Sequence, residues 1–291
     1  MLIERITSKQ NPLVKRFRQV RAGNERHLLF IEGIRLVEDA IRAGAHFESV
    51  AYSLALESSE RGRDLQDELL NVRCRAALVP QPILEHMADT ETPQGIVAIV
   101  SRPYFELNDV FADNSLIIIA DGLQDPGNMG TMIRTAEAAG ASGIVTTRQT
   151  VDPFNLKALR ASMGSVFRLP IVTGAAREEI ISTCKARGVK IVATRAQPKS
   201  KPLLEDVTKA QPVLIYTEVD FTTPSAFVLG REASGVSEEL FTEADVFAHI
   251  PMAEGIESLN VAAAATVLLY EAARQRQFTF KSKNQEISQK P

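Results

Sequence analysis

Residues 115–139 read SLIIIADGLQDPGNMGTMIRTAEAA, an apolar run followed by a glycine-rich stretch and an amphipathic segment. The run Ser115–Ala120 is almost continuously aliphatic, which is typical of a parallel strand covered on both faces. We predict a turn carrying Gly127 and Gly130 after this strand, and then a helix over Thr131–Ala139. A strand, a turn and a helix in this order form the repeating unit of α/β folds.

The alternation continues towards the C-terminus. A long alanine-rich helix is predicted over Ala262–Arg274. Strands that alternate with helices indicate a mostly parallel sheet. The predicted strands of this region are Gly143–Thr147, Val189–Ala193, Pro212–Tyr216 and Ser225–Gly230.

A separate set of elements precedes residue 108. It opens with an amphipathic helix whose apolar positions are Leu13, Val14, Phe17 and Val20, and it closes with a buried strand over Gly95–Val100. Ser101-Arg-Pro103 then breaks regular structure. We therefore predict a small α/β domain over residues 1–107 and a larger domain over residues 108–291. Between its first and last elements the small domain is predicted to contain helices over Arg35–Ala43 and Ser58–Leu70 and strands over Phe47–Tyr52 and Ala76–Val79.

The polar side of the opening helix is basic, with a single acid, Glu25, in the window. Such a cluster is either a solvated surface or a face that binds nucleic acid phosphates. The formal net charge of −3 argues against a protein that coats nucleic acid through bulk charge, but a local basic face is compatible with it. The candidate RNA-binding residues are Lys9, Lys15, Arg16, Arg18, Arg21 and Arg26.

The composition also bears on whether the protein is membrane-bound, exported, disulfide-bonded or metal-binding. No run of about 18 apolar residues is present and the opening segment is charged, so we expect no membrane span and no export signal. Cys74 and Cys184 are too few for a disulfide framework or a zinc site, and the four histidines form no spaced cluster. We expect a cytoplasmic protein that needs no metal.

Three segments are candidates for a functional site. The first contains Asn128 and Arg134 around the predicted turn, although a purely structural turn also accounts for its glycines. A dinucleotide-binding oxidoreductase is disfavoured because G-x-G-x-x-G follows none of the predicted strands. The second segment is Leu229-Gly-Arg-Glu-Ala-Ser-Gly235, which follows a predicted strand, where ligands of open α/β sheets bind. Its Glu232 is also compatible with an ordinary acid at a helix N-terminus.

The third segment is Ile250-Pro-Met-Ala-Glu-Gly-Ile-Glu-Ser-Leu-Asn-Val261, which runs into the alanine-rich helix. Ser258 and Asn260 are good helix caps, and capping is the alternative explanation for them. Since a helix needs only one such cap, capping does not account for the whole phrase.

Together these segments resemble the motifs of the SpoU or TrmH family of RNA ribose 2'-O-methyltransferases, within the SPOUT superfamily. The resemblance extends to Asp152-Pro-Phe-Asn155 and Arg160-Ala-Ser-Met-Gly164. Pro93-Gln-Gly95 and the Ser-Lys-Gln-Asn-Pro opening resemble the family's ribosomal-protein-like substrate-binding domain. One departure is Arg231-Glu232-Ala233, where many relatives carry a small or polar residue before the acid and a glycine after it.

The resemblance implies a trefoil-knotted, mostly parallel sheet flanked by helices. It also implies S-adenosylmethionine as the methyl donor. The residues that match the family's cofactor-binding motifs are Leu229, Gly230, Ile250, Met252, Ser258 and Leu259.

The implied reaction transfers a methyl group to a ribose 2'-hydroxyl. Arg134 is expected either to take the hydroxyl proton or to stabilise the developing alkoxide, and Glu232 to orient its guanidinium. The implied catalytic residues are Arg134, Asn128, Glu232, Ser258 and Asn260.

The resemblance favours ribosomal over transfer RNA as substrate, and an inactive RNA-binding protein on the same fold is the alternative from another class. The family also implies a homodimer. Val261, Val267, Leu268 and Leu269 are apolar positions of the final helix that either face a partner or belong to the core.

Overall fold

The computed structural model describes residues 3–194, 213–231, 235–256 and 258–276. Its strands are β1 (Ile3–Arg5), β2 (Leu28–Glu32), β3 (Phe47–Tyr52), β4 (Arg75–Leu78), β5 (Ile96–Ser101), β6 (Leu116–Ala120), β7 (Gly143–Thr147), β8 (Ile171–Ala175), β9 (Lys190–Thr194), β10 (Val213–Ile215), β11 (Ser225–Leu229) and β12 (Val246–His249). Its α-helices are α1 (Pro12–Arg21), α2 (Ile34–Arg42), α3 (Glu60–Leu69), α4 (Gln81–Met87), α5 (Pro126–Ala138), α6 (Leu156–Ser162), α7 (Arg177–Ala186), α8 (Glu238–Thr242) and α9 (Val261–Gln275). Short 3-10 helices cover Leu54–Ser58, Leu107–Val110, Ser165–Phe167 and Tyr216–Glu218.

The chain consists of two compact units. The first comprises Met1–Glu106, Asp125–Arg134 and Val151–Ile171, and the second comprises Leu107–Gln124, Thr135–Thr150 and Val172–Pro291. Two segments from the C-terminal part of the sequence thus pack with the N-terminal hundred residues. That residues 1–107 and 108–291 fold as independent domains stays a prediction.

The first unit is built on a five-stranded sheet in the order β1-β4-β3-β5-β2. Strands β1, β4 and β3 are parallel, whereas β5 runs antiparallel to both β3 and β2. Leu28 and Phe30 of β2 belong to one core cluster with α1 and α4, and the alternating Leu29 and Ile31 are buried as well. Since successive strand residues point to opposite faces, the sheet is covered on both sides.

Helix α1 forms as its sequence predicts. The Asn11 side chain accepts a hydrogen bond from the Leu13 N–H (2.8 Å), and Pro12 occupies the first helical position, where its missing N–H has no cost. The predicted apolar positions Leu13, Val14, Phe17 and Val20 are all buried.

The segment around α6 is fastened within the first unit. Leu156 packs against the core cluster of the five-stranded sheet. Arg160 pairs with Asp89 at 2.7 Å, and Arg102 forms a two-pronged ion pair with Asp152 at 2.8 Å for each bond. Charge-assisted pairs of this geometry add specificity to the apolar packing.

The second unit contains a seven-stranded sheet in the order β10-β12-β9-β11-β6-β7-β8. The ladders from β10 through to β7 are parallel, which confirms the predicted mostly parallel sheet. Helix α9 packs against β11. The rings of Phe221 and Phe227 pack edge to face, with 5.0 Å between their centroids. Strands β8 and β12 were not predicted from the sequence.

The C-terminal end of α9 is fixed by two side chains. The Gln275 amide donates to the Val219 carbonyl (2.9 Å) and accepts from the Phe221 N–H (2.8 Å). Arg276 donates to backbone carbonyls, including those of Phe221 and Ser115. Because these bonds satisfy polar groups at the start of the sheet, they position the last helix in the second unit.

Candidate active site

The carboxyl ends of the central strands meet at one edge of the parallel sheet. In register, Leu229 of β11 lies beside Ala120 of β6, and Ala248 of β12 lies beside Thr194 of β9. Gly230 and Ile250, which follow β11 and β12, are therefore placed at this same edge. This is where ligands of open α/β sheets bind.

Asp121, the first residue after β6, organises this edge and is 2% exposed. One carboxylate oxygen accepts from the Thr147 hydroxyl (3.0 Å) and from Arg177, and the other accepts from the Ser237 N–H (2.8 Å). The carboxylate therefore ties β6 and β7 to the loop that follows β11. Sequence reasoning gave Asp121 no role, although an acid directly after a buried aliphatic strand signals a carboxylate that needs partners.

The network also sets the ionisation of Asp121. Burial acts to raise its pKa, but hydrogen bonds from Ser237, Arg177 and Thr147 outweigh burial, and the pKa is lowered from its usual range. A carboxyl whose pKa is lower in the folded than in the unfolded state stabilises the fold above the unfolded pKa, and this stability is lost as the pH falls through the folded pKa.

We expect Asp121→Asn to lower the free energy of unfolding by about 3 kcal/mol at pH 7, because Arg177 is left without its buried partner. The difference from wild type should shrink as the pH falls and the wild-type carboxylate becomes protonated. Urea unfolding at several pH values measures both effects. A difference that is independent of pH would show that the charge of Asp121 is not what holds the edge together.

The second candidate segment is hydrogen-bonded across its described ends. Arg231 and Gly235 exchange two backbone hydrogen bonds of 2.9 Å each. A Cβ added to Gly230 would overlap with the backbone of Gly235 and Val236. The loop's own packing therefore requires glycine at position 230. Glu232 lies outside the described residues.

The third candidate segment follows β12. Ile250 and Met252 are partly buried, whereas Ser258 and Leu259 are exposed. The Asn260 side chain caps α9 by accepting from the Ala262 N–H (2.9 Å). Capping is thus one role of Asn260, while the Ser258 hydroxyl forms no hydrogen bond within the described part of the chain.

The first candidate segment differs from its prediction. Helix α5 begins at Pro126 and not at Thr131, so that Gly127 and Gly130 are helical and the predicted glycine-rich turn is wrong. The Asp125 carboxylate accepts from the Asn128 N–H (2.7 Å) at the helix start, and this bond, with Lys157, lowers the pKa of Asp125. Asp125-Pro126 is the signal that the sequence reading missed, since an acid cap and a proline begin helices.

The glycine at position 130 has a packing role. A Cβ there would lie 2.5 Å from the Ala158 carbonyl oxygen and 2.6 Å from the Ala161 Cβ. Gly130 therefore allows close approach of α5 and α6 within the first unit, which explains it without a bound anion.

Asn128 and Arg134 both lie on α5. They are six residues apart, and so point about 120° apart around the helix axis. Arg134 is exposed and has no hydrogen bond or ion pair among the described residues. The structure thus places these two predicted residues on one helix but not on one face.

The basic residues of the opening segment fall into two groups. The Arg16 guanidinium forms two hydrogen bonds with Glu48 (2.6 and 2.8 Å), and Arg21 donates to the carbonyls of Met87 and Ala88. The other four form no ion pair within the described ranges. Burial lowers the pKa of His86, and the charges of Arg18, Lys9 and Arg21 lower it further. The unpaired group is Lys9, Lys15, Arg18 and Arg26.

Metal sites and membrane-spanning helices are absent from the part of the chain that the structure describes. Its His, Cys, Asp and Glu side chains form no group of three or more that could hold a metal ion. None of its helices combines the length and apolar character that a membrane crossing requires. Cys74 and Cys184 are free thiols.

Comparison with known proteins identifies the family. The sequence profile of the SpoU rRNA Methylase family matches residues 115–270, more than half of the chain. The chain belongs to the SpoU rRNA methylase family. An MRM3-like substrate binding domain matches residues 11–98, so both parts of the predicted resemblance are confirmed.

Relatives within the SpoU family align over nearly the whole chain. The 23S rRNA (guanosine(2553)-2'-O)-methyltransferase RlmP of Bacillus subtilis is 31% identical, with 92% of this chain and 98% of that protein covered. The 23S rRNA (uridine(2479)-2'-O)-methyltransferase of Streptomyces viridochromogenes is also 31% identical, with 94% and 92% covered. An AdoMet-bound rRNA methyltransferase structure from Sinorhizobium meliloti has a TM-score of 0.78 at 32% identity and covers 94% of this chain and 98% of its own.

Proposed function

We propose that this protein transfers a methyl group from S-adenosylmethionine to a ribose 2'-hydroxyl of 23S ribosomal RNA. One observation carries the proposal: relatives that align over more than nine tenths of both chains are 23S rRNA 2'-O-methyltransferases. The match includes the substrate-binding region as well as the methylase region. It therefore favours ribosomal RNA over transfer RNA.

The carboxyl edge of the second unit fits the methyl donor. Nδ1 of His249, directly before Ile250, is buried and has no hydrogen-bond partner in the described part of the chain. A buried polar atom without a partner is costly in the protein alone and suits a polar ligand at this edge. We propose that the residues holding the ligand are Leu229, Gly230, Ile250, Met252, Ser258 and Leu259.

S-adenosylmethionine, when bound, supplies an electrophilic methyl group on a sulfonium sulfur. The ribose oxygen forms its bond to the methyl carbon as the carbon–sulfur bond breaks, and the hydroxyl proton has to leave. Arg134 is exposed and has no partner in the described residues, so its charge is available to stabilise the developing alkoxide while water accepts the proton. We favour this role over that of a base because arginine is essentially never deprotonated in proteins. The other proposed catalytic residues are Asn128, Glu232, Ser258 and Asn260.

The basic residues of the opening segment are proposed to bind RNA phosphates. Lys9, Lys15, Arg18 and Arg26 contribute most, because ion pairs or carbonyl contacts already occupy Arg16 and Arg21. Lys9, Lys15 and Arg18 of this group are chosen for replacement. We expect replacement of these three by alanine to weaken RNA binding and to lower the slope of log affinity against log salt by about two to three. Filter binding over a salt series measures the slope.

Arg16→Ala is the control for this set, since Glu48 already compensates its charge and its effect should be smaller. Equal salt slopes for wild type and the triple variant would show that the basic side of α1 is only a solvated surface.

A homodimer, a trefoil knot in the second unit and a cytoplasmic location complete the proposal. Val261, Leu268 and Leu269 are buried in the protomer's own core and give no support to a dimer, whereas Tyr270 of α9 is 44% exposed. Sedimentation at micromolar concentration tests the dimer, and a monomer mass would contradict it.

The reaction is tested with purified protein, tritium-labelled S-adenosylmethionine and rRNA from a strain that lacks the gene. A 2'-O-methyl group blocks alkaline cleavage of the adjacent phosphodiester, because that cleavage uses the free 2'-oxygen. We therefore expect the label in alkali-resistant dinucleotides. Label in single nucleotides alone would indicate base methylation, and no label in rRNA would favour an inactive RNA-binding protein.

A further inference from the structure

Arg231 is an exposed arginine at the carboxyl edge of the second unit, next to Gly230. Its backbone is held by the two hydrogen bonds with Gly235. The position of its Cα is thus fixed by the loop that follows β11.

Neutral groups hold its guanidinium. Nε donates to the Gly122 carbonyl oxygen (3.2 Å), and one terminal nitrogen donates to the Gln149 side-chain oxygen (2.8 Å). The Gln124 amide donates to the carbonyls of Gly122 (2.8 Å) and Gln149 (2.7 Å), which braces both partners. The acceptors are therefore positioned before any ligand arrives.

Among the described residues, no carboxylate pairs with Arg231, whereas Arg177 pairs with Asp121. A guanidinium carries five N–H donors, and Arg231 uses two of them in these contacts. Three donors therefore have no partner among the described residues and are available to an external anion.

The geometry points to an RNA phosphate as that anion. Arginine binds phosphate through paired, charge-assisted hydrogen bonds, and its pre-set side chain loses little further freedom on binding. Because the group is exposed, it suits a large polyanion at the sheet edge better than an enclosed small ligand. We propose that Arg231 binds a backbone phosphate of the substrate RNA at this edge, an inference that rests on the proposed function.

The test compares four variants in steady-state methyl transfer to rRNA purified from a strain that lacks the gene. Arg231→Ala should raise the KM for rRNA roughly tenfold, the size expected for one charge-assisted hydrogen bond. It should leave kcat and the affinity for S-adenosylmethionine near wild type. Arg231→Lys should recover part of the loss, because the charge is kept without the paired geometry.

Gln149→Glu keeps the contact to Arg231 but replaces its neutral acceptor with a carboxylate. We expect it to raise the KM for rRNA as Arg231→Ala does, since the charge is neutralised in place. Arg187→Ala is the matched control. Arg187 is also exposed and held by a neutral side chain, Asn108 (2.8 Å), but lies just before β9 at the opposite edge of the sheet.

The proposal is overturned if Arg231→Ala and Arg187→Ala have the same KM for rRNA. It is also overturned if Arg231→Ala weakens S-adenosylmethionine binding while the KM for rRNA is unchanged. Neither result touches the proposed function, because methyl transfer to rRNA continues. If wild type transfers no methyl group to rRNA, the proposed function fails, and filter binding of rRNA to the same variants over a salt series still decides the role of Arg231.

Discussion

Arg134→Ala is expected to lower the rate constant of methyl transfer by about 10²- to 10³-fold, the usual loss when one preorganised group that stabilises a developing negative charge is removed. The affinity for S-adenosylmethionine should stay within a few-fold of wild type. The fold should be unaffected, because Arg134 is exposed and makes no hydrogen bond or ion pair with the described residues. Single-turnover transfer of labelled methyl, with calorimetry for the cofactor, separates the two quantities.

Arg134→Lys distinguishes the two roles that chemistry allows. A lysine keeps the positive charge and should retain part of the rate if electrostatic stabilisation dominates. Unchanged thermal stability in both variants is the control for folding. Activity of Arg134→Ala near the wild-type level would remove this residue from the mechanism.

Gly230→Ala is expected to weaken S-adenosylmethionine binding by about 30- to 100-fold. The added methyl group overlaps with backbone atoms of Gly235 and Val236. Moving these atoms away would break the two backbone hydrogen bonds between Arg231 and Gly235. Overpacking of this kind costs about 1–3 kcal/mol, and the displaced backbone is the part of the loop proposed to hold the cofactor. Calorimetry measures the affinity, and thermal unfolding shows whether the variant is folded.

Gly235→Ala in the same loop is the matched control. Gly235 has φ +72°, but nothing lies within 4 Å of an added Cβ, so only the backbone conformation is penalised. That penalty is about 1–2 kcal/mol. Equal cofactor affinity in a folded Gly230→Ala protein and in wild type would place the methyl donor elsewhere.

Local patterns predicted most of the elements. Phe47–Tyr52 matches β3, and the four apolar positions of α1 are buried, because alternation and helical spacing depend only on neighbouring residues. Helix α5 was predicted to begin five residues late, because Gly127 and Gly130 resembled a turn. In the structure, both glycines lie close to residues of α6, which are about 30 positions later in the sequence. Strand β12 was missed because it has only four residues, which are too few to show the alternating pattern of a strand.

Long-range partners limited the prediction of the site. The partners of Asp121 are Thr147, Arg177 and Ser237, which lie 26, 56 and 116 residues away, and no sequence spacing connects them. The sheet order likewise places β11 between β9 and β6 through non-local pairing. The packing of residues 125–134 and 151–171 with the N-terminal segment also depends on contacts between residues that are distant in the sequence. The motif residues were recognisable from their resemblance to the family, and those of the second segment also because they follow a predicted strand. The groups that support them carried no such signal.

Mass spectrometry of nucleosides and fragments from 23S rRNA tests the central claim most directly. The rRNA is taken from a parent strain, a strain that lacks the gene, and the deletion strain complemented with wild type or with Arg134→Ala. We predict one 2'-O-methyl nucleotide that is present in the parent, absent from the deletion strain, restored by wild type and not restored by Arg134→Ala. Identical 2'-O-methylation of 23S rRNA in all four strains would contradict the account.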